Sequence, residues 1–348
     1  MTLLSPFGWI YSAAVRLRNR LYDRGSMRSF PLGAKTISIG NITTGGTGKT
    51  PIAALVIDIL SRSGEKVCVL TRGYGRKTPT RRVLVSDHEK LLADAEIAGD
   101  EPVELARRFL GRAIVVADAD RVAAGKWALD KFGVTAFVLD DGFQHRKARR
   151  DLDIVCINAV DPFGGGKLLP AGRLRERLSA LARADAFVIT RSDLADTGKI
   201  INILKRSNAN AAIFHASTRL KNILTIDDFR LDPLKTGVVA VERPFVFCGL
   251  GQPDSFRSNL TAWGIEIAGI RTFRDHHVYS NADIRSIEST ARIAGAGCLL
   301  TTAKDAVKLN DLDIQMDCFV VLAEAAVTEE REFEDLVIGA VHSKETEH

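Results

Sequence analysis

The first two-thirds of the chain alternates short, β-branched apolar runs with segments of helical spacing. Apolar runs at 36–39, 67–70, 113–116, 136–139, 154–157 and 186–189 predict strands, and segments such as 51–61 and 102–109 predict helices between them. Alternation of this kind specifies an α/β fold, a mostly parallel sheet flanked by helices on both faces. Pro102 suits the first residue of its helix, where the missing N–H has no partner in any case. A less regular stretch over 216–243 leads to a second series. There, 245–247, 265–270, 298–301 and 318–322 predict the strands of a second, smaller α/β domain opening at Pro244, with Gly249-Leu250-Gly251-Gln252-Pro253 as a strand-to-helix turn. Helical spacing over 329–341 predicts a last helix that packs back on the first domain, followed by a frayed tail over 343–348.

At the N-terminus, Ile10, Ala13, Ala14, Leu17 and Leu21 fall at helical spacing beside Arg16, Arg18, Arg20 and Arg24, with Phe7, Trp9 and Tyr11 at the start. This predicts an amphipathic helix lying in a membrane interface; a helix packed on the protein's own core is the competing reading. The arginines follow the apolar part and no small-residue cleavage site is evident, so a secretory signal fits poorly. No run of about 18 apolar residues predicts a simple transmembrane helix. The expected division is therefore 1–28 (membrane-associating helix), 29–216 (first domain), 217–323 (smaller domain) and 324–348 (returning helix and tail).

Composition agrees with a folded chain: 348 residues, 46% hydrophobic and 26% charged, leave room for two domains and a large core. Five cysteines without a Cys-x-x-Cys pair predict buried reduced thiols, with no disulfide and no zinc. The formal charge of +5 is concentrated in basic clusters over 16–24, 72–82 and 146–150. Phosphates of a nucleotide, a lipid or a nucleic acid are natural partners for such clusters. Without an aromatic-rich basic patch, zinc finger or helix-turn-helix pattern, nucleic acid is the weakest of the three.

The richest chemistry lies in Thr44-Gly45-Gly46-Thr47-Gly48-Lys49-Thr50-Pro51, a glycine turn between the first strand and a helix. Such a turn converges backbone N–H groups on phosphate oxygens, Lys49 neutralises the terminal phosphates, and Thr50 can hold magnesium. The usual P-loop glycine is replaced by Thr43, so the loop resembles the deviant P-loop class. Downstream, the run ending at Leu139 delivers Asp140 and Asp141, the place where P-loop proteins set the carboxylate that binds magnesium directly or through water. On a strand they would point to opposite faces, unless the chain turns there. Gly99-Asp100-Glu101-Pro102 brings two more carboxylates to a helix start, where Asp100 is equally a good N-cap. Asp275-His276-His277 offers a histidine partner for a carboxylate base. Arg72, Arg121 and Arg173 sit in loops of the kind that face a ligand in α/β sheets and can neutralise a phosphoryl group.

Two further segments read as decoys. Thr190-Arg191-Ser192-Asp193 resembles a guanine-reading element but has arginine for lysine, and the switch element expected after Asp140 is missing. Thr302 and Asp305 have capping-box spacing, which favours a structural role.

Taken in order, Gly40–Thr43 with the glycine loop, Arg72-Gly73-Tyr74-Gly75-Arg76, Gly99–Pro102, Asp120-Arg121, Leu139-Asp140-Asp141-Gly142-Phe143-Gln144-His145, Pro170-Ala171-Gly172-Arg173-Leu174-Arg175-Glu176 and Asp275–His277 resemble the tetraacyldisaccharide 4'-kinases of lipid A biosynthesis. The missing first glycine of the standard loop is itself a habit of that family, so Thr43 supports the resemblance. The resemblance implies a P-loop kinase domain hinged to a smaller α/β domain. Its activity would be transfer of the γ-phosphate of ATP to the 4'-hydroxyl of a tetraacylated disaccharide 1-phosphate, forming lipid IVA. It implies ATP and Mg²⁺ as cofactors, a lipid partner with no obligate protein partner, and peripheral attachment to the cytoplasmic face of the bacterial inner membrane. Thr44, Gly45, Gly46, Thr47, Gly48, Lys49, Thr50, Arg72, Glu101, Arg121 and Gln144 would bind or position the nucleotide, and Thr50, Asp140 and Asp141 the metal. Asp100 would act as base, tuned by His276 or His277 carried in on the smaller domain, with Arg173 at the transferring phosphate. The rival reading is a P-loop switch or partition ATPase acting through a protein partner.

Overall fold

The computed structural model describes residues 5–73, 76, 78, 80–231, 235 and 237–342, with only the backbone of 5–10. The expected tail 343–348, the Tyr74-Gly75 pair and the side chains of Phe7, Trp9 and Ile10 lie outside the described residues. In chain order the strands are β1 Lys35–Gly40, β2 Val67–Thr71, β3 Val83–Ser86, β4 Ala113–Ala117, β5 Ala136–Asp140 and β6 Leu152–Asn158. There follow β7 Ala186–Thr190, β8 Ala212–Thr225, β9 Phe245–Cys248, β10 Gly269–Thr272, β11 Leu299–Thr302 and β12 Cys318–Val327.

The chain forms two compact units, Met1–Arg72 with Asp118–Ser217 and Ala325–His348, and Gly73–Ala117 with Thr218–Glu324. The division is not linear. Residues 73–117, which the sequence places in the first domain, group with the second unit, and the chain passes between the units again after Ser217 and after Glu324.

In the first unit the strand order is β8-β7-β6-β1-β5-β2, with neighbouring strands paired in parallel. Strands β2, β5, β6 and β7 are buried along their whole length, as a sheet covered on both faces requires. Ile39 pairs with Asp140 across the β1–β5 register, so the glycine loop and the paired aspartates emerge at the same end of adjacent strands. That is the end where ligands bind in sheets of this kind. The helix Lys49–Arg62 buries Ile52, Ala53, Val56, Ile57 and Leu60. The C-terminal helix Glu330–His342 packs on it and on β1, with Arg62 Nη2 3.6 Å from a Glu334 oxygen and Phe333 edge-on to Phe214.

The N-terminal helix Ser5–Asp23 lies against its own unit along one flank. Tyr11 Oη donates to the Arg175 carbonyl (3.1 Å), Asn19 Nδ2 to Glu176 (2.6 Å), and Arg146 pairs with Asp23 (2.7 Å). Leu17, on another flank, is 61% exposed. No helix among the described residues is long and apolar enough to cross a membrane.

The second unit holds the strand order β10-β9-β11-β12-β8, with β10, β9, β11 and β12 parallel, and the antiparallel pair β3–β4. Its core gathers Val246, Leu260, Leu300, Val321 and Ile223. The stretch taken as irregular from 216 contains the end of β8 and the helix Ile226–Leu231, masked by the polar run Ser217-Thr218-Arg219 and Lys221. Strand β10 starts at Gly269, and Ile265 and Ile267 pack on the core from irregular backbone instead. The helix expected to open at Pro102 is Asp100–Arg108.

Candidate active site

The glycine loop is held by neighbours on every side within the first unit. Thr44 N donates to the Arg173 carbonyl at 2.7 Å, and Arg173 Nε donates back to the Thr44 carbonyl at 3.1 Å. Asn41 Nδ2 donates to Thr47 Oγ1 (2.6 Å), Gln144 Nε2 to the Asn41 carbonyl (2.8 Å), and Thr190 Oγ1 to the Thr47 carbonyl (2.9 Å). Gly48 ends the loop at φ 75°, and a Cβ there would lie 3.0 Å from Thr190 Cγ2. It is also the N-cap of helix Lys49–Arg62 and supplies no side-chain cap. Exposed Gly45 and Gly46 and an uncapped helix start leave backbone donors available to an anion. Thr50 is the second residue of that helix.

The chain turns at the second of the two aspartates, so they do not simply point to opposite faces of a strand. Asp140 closes β5, is 3% exposed, and accepts from Thr71 Oγ1 at 3.3 Å. Asp141 adopts φ 52°, which turns its carboxylate toward Lys49 Nζ (3.4 Å) and Arg175 Nη1 (2.6 Å). Burial pushes the Asp141 carboxyl up, but Lys49 and Arg175 outweigh it and hold it below the usual range. Arg121 is buried, and its charge is opposed first by burial, then by Arg72, while Asp141, Asp140 and Asp118 favour it; the net shift is downward. Its Nε is buried with no hydrogen-bond partner among the described residues. These donors and carboxylates fit a phosphate chain with a hard divalent cation. Arg72 stands exposed at the end of β2, and the Arg173 guanidinium is engaged by Asp161 at 2.6 Å, so in this arrangement it braces the loop.

The second unit contributes a different constellation. Asp100 is the first residue of its helix and is not the N-cap, a place taken by Gly99 at φ 96°. With the N-cap position taken by glycine, the Asp100 carboxylate accepts the Glu101 N–H at Oδ1 (3.0 Å) and still meets a second group. His276 Nδ1 lies 3.0 Å from each Asp100 oxygen. Burial pushes the Asp100 carboxyl up, yet the His276 hydrogen bond and the charges of Lys304, His276 and Lys308 bring it below the ordinary carboxylate range. The same hydrogen bond raises His276 against its own burial. His277 turns away: its ring stacks on Phe273 at 4.5 Å, and its Nε2 is 3.4 Å from Asp283. Glu101 is 3.8 Å from Lys304 Nζ. Asp100 and His276 belong to one unit, which differs from the expectation that the histidine arrives on another domain.

Sequence reasoning passed over four participants. Arg175 was hidden beside Arg173, Thr190 inside an apparent guanine motif, and Lys304 and Lys308 around a capping box. Thr302 does cap its helix, accepting from Asp305 N, but the Asp305 carboxylate takes the Gly249 N–H and the Thr302 hydroxyl, and the same corner presents the lysines. The five cysteines are buried free thiols.

A glycine loop running from a central parallel strand into an uncapped helix, with aspartates closing the adjacent strand, defines a P-loop protein that handles nucleoside triphosphates. The family model described as Tetraacyldisaccharide-1-P 4'-kinase matches residues 1–342. The chain is 36% identical over 349 residues to the tetraacyldisaccharide 4'-kinase of Syntrophus aciditrophicus (strain SB), covering 97% of this chain and 92% of that one. It is 37% identical over 309 residues to that of Geobacter metallireducens, covering 89% and 88%. The crystal structure of the "apo" form of LpxK from Aquifex aeolicus in complex with ATP superposes with a TM-score of 0.77 at 31% identity, covering 97% of this chain and 98% of that one. The chain belongs to the tetraacyldisaccharide 4'-kinase family. This membership does not favour a nucleotide switch.

Proposed function

We propose that this chain transfers the γ-phosphate of ATP to the 4'-hydroxyl of a tetraacyldisaccharide 1-phosphate, forming lipid IVA in lipid A biosynthesis. The observation that carries the reading is the Asp100–His276 pair at 3.0 Å in a chain of this family that also holds an uncapped glycine loop. Backbone donors of Gly45–Gly48, with Lys49 and Arg121, grip the phosphates, and Thr44 holds the start of the same loop. Thr50, Asp140 and Asp141 would hold magnesium, which when bound neutralises charge on the phosphates. Asp100 accepts the proton of the attacking hydroxyl as the new P–O bond forms and the bond to ADP breaks. His276 orients Asp100 and offsets its charge. Phosphoryl transfer of this kind depends mostly on alignment and charge neutralisation, which suits a carboxylate kept ionised. Arg72 and Gln144 are assigned to positioning, and Arg173 to holding the loop closed on the phosphate.

The N-terminal helix is assigned to peripheral attachment at the cytoplasmic face of the inner membrane. One flank is docked on the protein, and the exposed Leu17 on another supports that assignment. Labelled phosphate from Mg-ATP, followed onto tetraacyldisaccharide 1-phosphate in mixed micelles, tests the reaction. Labelled bisphosphorylated lipid, lost in Asp100→Ala, is expected; nucleotide binding with no label on lipid would overturn the kinase reading.

A further inference from the structure

Three segments converge on the Asp100 carboxylate within the second unit. They are the start of helix Asp100–Arg108, the loop after β10 that carries Asp275 and His276, and the corner after β11 where Thr302 caps the short helix Ala303–Ala306. The motifs that define the site account for the first two. The third contributes two lysines.

Lys304 Nζ lies 2.9 Å from Asp275 Oδ1 and 3.8 Å from Glu101 Oε1. One ammonium therefore ties the residue preceding His276 to the residue following Asp100. Lys308 Nζ lies 2.8 Å from Asp305 Oδ1 and 3.9 Å from Asp100 Oδ2, and it sits over the Tyr279 ring at 5.3 Å. Asp305 is itself fully buried and fixed by Gly249 N (3.0 Å) and Thr302 Oγ1 (2.8 Å). The two lysine side chains are only 15% and 8% exposed. Cations withdrawn this far from water are costly, and apolar residues of similar volume would serve a core that needed only packing. Their placement has a directional consequence, since each bridges a carboxylate of the framework and a carboxylate at or beside Asp100.

We propose that Lys304 and Lys308 form a cationic clamp that positions the Asp100–His276 pair for phosphoryl transfer. The inference rests on the kinase reading above. The clamp touches no reactant, so both lysines are positioning residues. The charged groups facing Asp100 are His276, Lys304 and Lys308, with Glu101 and Glu104 on its own helix; those facing His276 are Asp100, Asp275 and Lys304. Lys304 stays protonated despite burial because Glu101, Asp100 and Asp275 surround it.

Lys304 is the better probe, because removing Lys308 would strand the buried Asp305. In the full-length enzyme, Lys304→Met should lower kcat about tenfold with KM for ATP unchanged, and Lys304→Arg should restore most of it. In a His276→Ala background the same Lys304→Met change should cost less than about twofold, because the pair it positions is already gone. Equal factors in both backgrounds, or a moved KM, would overturn the clamp and leave only a structural ion pair. A readout independent of turnover is the His276 imidazole titration followed by NMR. Loss of a nearby cation should raise its midpoint by about one pH unit in Lys304→Met and leave it in place in Lys304→Arg. An unmoved or lowered midpoint sinks the proposal even if the lipid is phosphorylated; wild-type protein that phosphorylates no lipid sinks the kinase reading, and the titration still decides the clamp.

Discussion

Arg175 donates from a single nitrogen, Nη1, to both carboxylate oxygens of Asp141, at 2.8 and 2.6 Å. The same nitrogen reaches Gln144 Oε1 at 3.3 Å, and the Arg175 backbone N–H donates to the Ile42 carbonyl at 2.7 Å. One residue thus fixes an aspartate in left-handed backbone and the start of the glycine loop together. Hydrogen bonds to charged groups contribute about 1.5–3 kcal/mol, so losing them should matter for catalysis.

Arg175→Ala should lower kcat roughly 10- to 100-fold and raise the magnesium concentration needed for half-maximal turnover. Arg175→Lys should recover only part, because a compact, strongly hydrated ammonium on a flexible stem is less pre-organised than the planar guanidinium that holds Nη1 against Asp141 and Gln144. Titration of turnover with magnesium checks both. An unchanged magnesium requirement would mean that Asp141 is held adequately by Lys49 alone.

Asp100→Ala should cut turnover by about 10²- to 10⁴-fold while nucleotide binding, measured calorimetrically, stays nearly intact. The Asp100–His276 pair also predicts a pH-dependent stability. The Asp100 carboxyl is depressed, so its contribution is present above the unfolded carboxylate value and lost as pH falls through the folded one. His276 is raised, so its contribution is full below the unfolded imidazole value and lost as pH rises through the folded one. The stability difference between wild type and His276→Ala should therefore be largest between about pH 4 and 6.5 and shrink on either side. A difference that is flat across this range in urea unfolding would contradict the pairing.

The elements that could be read from sequence are those whose chemistry is local. A strand, a glycine turn and Lys49-Thr50 lie within a few residues, as do the second strand end and Asp140-Asp141. Long-range choices were beyond that reading. Nothing in Asp275-His276-His277 says which ring meets Asp100; packing decides it, since His277 is taken by Phe273 and Tyr279. The grouping of 73–117 with the second unit is likewise a property of contacts, because contiguous strands and helices look like one domain in sequence. Lys304 and Lys308 were obscured because the capping-box spacing of Thr302 and Asp305 is a sufficient local explanation of that segment.

Thr190 illustrates a motif with a meaning other than its appearance. It is buried, and its hydroxyl supports the Thr47 carbonyl at 2.9 Å from the next strand but one. Thr190→Val keeps the shape and leaves that carbonyl without its donor, a loss of about 1 kcal/mol. The expected result is a KM for ATP raised several-fold with the preference for ATP over GTP unchanged. Exposed Asp193, changed to alanine, should alter neither quantity. A loss of purine discrimination in Asp193→Ala would restore the guanine-reading interpretation of this segment.

The N-terminal helix separates two roles by flank. Tyr11 and Asn19 bond to the Arg175–Glu176 segment, so deleting the helix would disturb the site as well as any membrane contact, and a deletion alone cannot distinguish the two. Leu17, 61% exposed, offers a cleaner probe. Burying a leucine side chain in an apolar phase is worth about 1.5–3 kcal/mol. Leu17→Glu should therefore weaken co-sedimentation with anionic lipid vesicles by tenfold or more, on the order of 1.4 kcal/mol per decade. Its melting temperature should be unaffected, because a surface change away from caps and cores seldom moves stability much. Undiminished vesicle binding in this variant would assign the helix to packing on its own unit, and membrane contact would then have to come from another surface.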